Sequence, residues 1–131
     1  LYAINPNNGK FVWKWKVPEQ IKHNGVDTYT FGQIGALALT AQGNLILGSV
    51  GSGSYNRGIY CVSKEGKKIW HNLDANGSGV ASGISIGKNN TAFYYSNISG
   101  YNLVALDINS GKIKWQKPKQ LFVLIVHLLY L

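Results

Sequence analysis

Three stretches of the chain carry one pattern: LYAINPNNGKFVW (residues 1–13), IYCVSKEGKKIW (59–70) and LVALDINSGKIKW (103–115). In each, a short β-prone run ends in a polar turn, the turn closes on Gly-Lys, and a tryptophan follows four residues after that glycine. This recurrence restricts the fold more than any other feature of the sequence. A unit so small cannot bury its own apolar face and must stack on copies of itself.

Each stretch makes physical sense as a β-hairpin. In the third, Leu103, Ala105 and Ile108 flank Asp107, whose carboxylate is placed to cap backbone N–H groups in the turn. Gly111 supplies the positive φ that a short hairpin loop needs. The second strand alternates Lys112, Ile113, Lys114 and Trp115, which predicts lysines on one face and Ile113 with Trp115 on the other.

A second element recurs between the hairpins. Residues 34–39 lead through the polar turn 40–44 into 45–48, and residues 80–86 lead through 87–90 into 91–95; both read as strand, turn, strand. Each repeat then holds four short strands, the content of one propeller blade. The spacing is 57 residues from Trp13 to Trp70 and 45 from Trp70 to Trp115. The longer interval absorbs two polar, turn-rich insertions, PEQIKHNGVDTYTFGQ and GSVGSGSYNRG, read as loops. The expected organisation is a half blade over 1–17, a blade over 33–72 and another over 78–116, together a repeat region over 1–117. Few charges (14%), abundant glycine and an apolar share of 45% agree with an all-β globular chain.

The repeated residues resemble the PQQ-like β-propeller repeat, Ala-x-Asp-x-x-(Thr/Ser)-Gly-x-x-x-Trp. The third stretch matches throughout, with Ala105, Asp107, Ser110, Gly111 and Trp115. The first keeps Ala3, Gly9 and Trp13 but has Asn5 for Asp and Asn8 for Thr. The second has Cys61 for Ala and Ser63 for Asp, and a turn one residue shorter that reaches Gly66 and Trp70. The resemblance implies a partial propeller of about two and a half four-stranded blades. It also implies that each tryptophan packs against the neighbouring hairpin near its signature glycine, with the remaining blades of a longer chain as partners.

Other chemistry finds little support. The net charge of +8 comes from lysines scattered from Lys10 to Lys119, a solvated surface and no footprint for a specific nucleic acid. Trp15 falls outside the repeat and could be exposed, so a base-stacking role would depend on it. One cysteine, Cys61, excludes an internal disulfide and multi-cysteine metal motifs, and the three histidines have no ligand spacing. The glycine runs at 51–58 and 77–83 lack the spacing and the following helix of a phosphate loop.

Some members of the resembled family are alcohol and glucose dehydrogenases that hold pyrroloquinoline quinone (PQQ) above calcium in the central funnel. Others are non-enzymatic, such as the outer-membrane assembly lipoprotein of the BamB kind. No catalytic residue, cofactor ligand or metal ligand of the enzymes can be matched here. The expected role is therefore a binding or scaffold module of a larger periplasmic, cell-envelope or extracellular protein, possible partners being other envelope proteins. The alternative is part of a quinone-dependent dehydrogenase with its catalytic residues elsewhere. The run 118–131, KQLFVLIVHLLYL after Pro118, is too short to span a bilayer, which takes about 20 residues, and is expected to be a truncated or artefactual end, leaving membrane association open.

Overall fold

Short runs rich in Val, Ile, Leu and Tyr, cut by Asn-Gly and Gly-Lys turns, favour antiparallel strands over helices. The computed structural model describes residues 1–18, 20–29, 33–50, 58–75, 83–96 and 102–118. Among them are twelve strands and no helix, so the chain is all-β as the composition leads one to expect. The apolar run from residue 119 onwards and the glycine loops at 51–57 and 76–82 lie outside the described residues.

Strands β1 (Tyr2–Ile4) and β2 (Phe11–Lys14) form a two-stranded sheet, followed by a second pair, β3 (Gln20–His23) and β4 (Val26–Tyr29). Two four-stranded sheets come next. One runs in sequence order through β5 (Gln33–Leu39), β6 (Leu45–Val50), β7 (Ile59–Val62) and β8 (Lys68–Asn72). The other runs through β9 (Ser85–Gly87), β10 (Thr91–Ser96), β11 (Asn102–Asp107) and β12 (Ile113–Lys117). All pairings are antiparallel.

Three sequence expectations need correction. Residues 18–33 are more than a loop, because β3 and β4 pair across Asn24-Gly25, both at positive φ (50° and 79°), the geometry of a two-residue type I′ hairpin turn. In the last sheet Ser85–Gly87 pairs with β10, so among the described residues 83 and 84 of the expected strand 80–86 stand outside it and Gly87 joins it from the expected turn, while 80–82 lie outside the described residues; Asn89 and Asn90 in the turn are at positive φ. Ile113 and Trp115 also do not share a face. Trp115 pairs with Ala105 and Ile113 with Leu106, so Lys114 is an extra bulge residue that breaks the alternation.

That bulge recurs. Ala3 pairs with Trp13, Cys61 with Trp70 and Ala105 with Trp115, and in each hairpin the register slips at the next residue pair. The alternation of strand side chains then gives every sheet two faces, and the core consists of the two layers between successive sheets. One layer joins Trp13, Trp15 and Val17 to Leu47, Tyr60 and Val62. The other joins Ile46, Ile59, Cys61 and Trp70 to Ala92, Tyr94, Val104 and Leu106. Burial of each large side chain contributes about 1.5–3 kcal/mol, so these layers supply most of the cohesion between sheets.

Candidate interaction surface

The hairpin turns share one set of backbone bonds. The first turn residue, Asn5, Ser63 or Asp107, accepts from the glycine N–H: Gly9 to Asn5 at 2.8 Å, Gly66 to Ser63 at 2.9 Å and Gly111 to Asp107 at 2.8 Å. Its side chain also accepts turn N–H groups. Asp107 Oδ1 takes Asn109 N (3.0 Å), Ser110 N (2.8 Å) and Ser110 Oγ (3.0 Å), while Ser63 Oγ takes Glu65 and Lys67 N, and Asn5 Oδ1 takes Asn7 N. The backbone bond from Ser110, helped by its hydroxyl, the Asn109 N–H and nearby Lys114, holds the Asp107 carboxyl below its ordinary value. Asn5 and Ser63 thus replace the signature aspartate with other short acceptors of the same reach.

Trp13 and Trp70 each lie on the turn of the next Gly-Lys hairpin. The Trp13 ring covers Gly66, where a methyl group would lie 2.7 Å from Cδ2, and Trp13 Nε1 donates to the Lys64 carbonyl at 2.8 Å. The Trp70 ring covers Gly111, where a methyl group would lie 2.8 Å from Cδ2, and Trp70 Nε1 donates to the Ile108 carbonyl at 3.0 Å. Both glycines are at positive φ (82° and 74°), so they serve the turn and the ring above it together. Asn72 strengthens the second contact, its Nδ2 donating to the Gly111 carbonyl at 2.7 Å while its Oδ1 accepts from Asp74 and Ala75. The repeat pattern does not reveal Asn72; the only trace is an amide two residues beyond Trp70.

At the two ends the same positions are open. Gly9 has the same positive φ (69°), yet a methyl group there would meet nothing within 4 Å. Trp115 is 40% exposed and touches Phe93 of its own sheet, ring centroids 5.9 Å apart. Tyr2 and Ile4 occupy the positions of Tyr60 and Val62, and of Val104 and Leu106, by their pairing with the tryptophan strands. Those four are at most 1% exposed, whereas Tyr2 and Ile4 are 52% and 53% exposed. Beside this face an open cleft of about 460 Å³ is lined by Leu1, Tyr2, Lys14, Trp15, Lys16, Val17 and Ile34.

Trp15 itself is buried against Tyr60, with ring centroids 5.6 Å apart, which corrects the expectation that it could be exposed and removes it as a stacking platform. Among the described residues no three His, Cys, Asp or Glu side chains cluster to hold a metal ion. Asp27 pairs with Lys22, and the Asp107 carboxylate is engaged by its own turn. Cys61 is buried between sheets, and burial pushes its thiol up to about 11, which keeps it protonated and unreactive. No described helix is long and apolar enough to cross a membrane. No protein-family model and no curated protein matches the chain.

Proposed function

We propose that the chain is a run of PQQ-like β-propeller repeats in a larger cell-envelope or extracellular protein, where it serves as a binding and scaffold module. The observation that carries this reading is the docking seen twice in the same geometry, Trp13 on Gly66 and Trp70 on Gly111, each with its ring N–H on the carbonyl after the first turn residue. A tryptophan bonded to the next turn fixes how consecutive sheets stack, and successive four-stranded meanders stacked in this way are the material of propeller blades. The chemistry on the described residues is that of packing and polar turns, which suits a platform that presents loops.

Electron-microscopy averages of the full-length protein test the architecture: a ring of radial sheets is expected, and an open, non-radial stack would overturn it. Adding the quinone with calcium and assaying dye reduction with alcohols and sugars tests the role. No turnover is expected, and turnover would move the protein to the quinone-dependent dehydrogenases.

A further inference from the structure

Lysines that lie far apart in the sequence come together at one end of the sheets. In a meander of four antiparallel strands the first and third turns share one end, here 40–44 with 63–66 in one sheet and 88–90 with 107–110 in the other. A methyl group on Gly43 would lie 3.7 Å from the Lys64 side chain, and Ile108 N donates to the Asn90 carbonyl at 2.9 Å, so each pair of turns is in contact. Successive hairpins also point the same way. Trp13 covers Gly66 while Trp15, farther from its own turn, meets Tyr60, farther from the next. Likewise Trp70 covers Gly111 while the Ala75 carbonyl accepts from the Tyr94 hydroxyl at 2.6 Å, beside Val104. The turns therefore form one face, and since sheets stack through their sides, neighbouring repeats leave that face uncovered.

Each hairpin brings a lysine to the same place on it. Lys10, Lys67 and Lys112 follow the signature glycine, and their carbonyls accept from the first turn residue at 2.9, 2.7 and 2.8 Å. With Lys64 and Lys88 they make five exposed lysines. The carboxylates there are Glu65, 4.0 Å from Lys64, and Asp107, which is engaged by its own turn and lies 4.0 Å from Lys114. Toward the opposite end the charges nearly balance, Lys16, Lys22 and Lys117 standing with Asp27 and Asp74 among the described residues.

We propose that this lysine face adsorbs on an anionic lipid bilayer. Stacked sheets lie about 10 Å apart, beyond the Debye length of about 8 Å at physiological ionic strength, so a small anion meets one hairpin lysine at a time. Only an extended array of negative charge meets them all. The lysines stand on projecting turns in successive sheets, a layout that matches a plane of head groups, where each lysine near the surface adds to the attraction. The turns 5–10, 40–44, 63–67, 88–90 and 107–112 contain no arginine for bidentate phosphate recognition and no aromatic ring on which a base could stack. Binding is therefore electrostatic and superficial. The inference stands on the stacking of the described sheets and not on the envelope role.

Co-sedimentation of the full-length protein with vesicles of phosphatidylcholine, alone or mixed with phosphatidylserine, tests it. Binding to the mixed vesicles only is expected, with release at high salt. Lys10→Glu, Lys67→Glu and Lys112→Glu together should weaken that binding on the order of a hundredfold or more, since each lysine at an anionic surface contributes about fivefold. Lys14→Glu, Lys16→Glu and Lys117→Glu together change the net charge equally but lie away from the turns, and should weaken it less than about tenfold. Circular dichroism verifies that both variants remain folded. Three results would each overturn the proposal: no preference for the anionic vesicles, equal losses in the two triple variants, or tighter binding to polyglutamate or a single-stranded oligonucleotide than to the vesicles at equal negative charge. Equal losses would mean that net charge alone attracts the protein, and the last result would assign the face to a soluble polyanion.

Discussion

Trp70 and Trp115 sit at the same place in hairpins of the same Gly-Lys-to-Trp pattern, yet one is docked and the other is not. Trp70 donates its ring N–H to Ile108 and lies over Gly111, while Trp115 leans on Phe93 and is 40% exposed. Among the described residues a further tryptophan hairpin comes after Trp70, and none comes after Trp115. A hairpin supplies the tryptophan, but the docking site belongs to the next turn, so neither hairpin contains the stabilising contact alone. This is the behaviour of a repeat chain, in which nearest-neighbour interfaces carry a large part of the stability.

The comparison can be broken by substitution. Trp70→Ala should cost about 3–5 kcal/mol by denaturant unfolding, because it empties a packed interface and frees the Ile108 carbonyl. Trp115→Ala should cost less than about 1 kcal/mol. Next in size, Gly111→Ala should cost about 2–4 kcal/mol, since the added methyl group enters the Trp70 ring in addition to straining the positive φ. Gly9→Ala meets only the φ strain and should cost about 1–2 kcal/mol.

Smaller effects sharpen the same contrast. Asn72→Ala removes the Nδ2 bond to Gly111 and the acceptor for two N–H groups, and should cost about 1–2 kcal/mol. Cys61 faces the interface that Trp70 closes, so a thiol reagent should label it faster in Trp70→Ala and at the wild-type rate in Trp115→Ala. Asp107 gives the smallest change. Its carboxyl is lowered in the folded state, so its stabilising contribution is present above the unfolded value and is lost as the pH falls through the folded one. The stability advantage of the wild type over Asp107→Asn should therefore shrink in acid, below the usual carboxylate range.

The hairpins, their turns and the tryptophan positions are legible in the sequence because each rests on local chemistry: a glycine at positive φ, a short acceptor at the first turn residue, a fixed count to the tryptophan. Consequences of register are not legible in the same way. The bulge at Lys114 separates Ile113 from Trp115, and period-two alternation has no way to show it. Trp15 is open to a surface reading in the sequence because its partner, Tyr60, lies far along the chain. The β3–β4 hairpin is a different matter, since Asn24-Gly25 is a strong turn signal that the polar setting of residues 18–33 obscures. Burial at the two ends depends on neighbours and leaves no trace in a local pattern.

The most direct test of tryptophan docking on the next turn is a double-mutant cycle at Trp70 and Gly111, read by equilibrium unfolding. If the ring on the glycine is what joins the sheets, Gly111→Ala in the Trp70→Ala background should cost only the φ strain, close to the cost of Gly9→Ala in the wild type. If instead the two costs add in full, the methyl group at Gly111 acts without reference to Trp70, and the docking account is wrong.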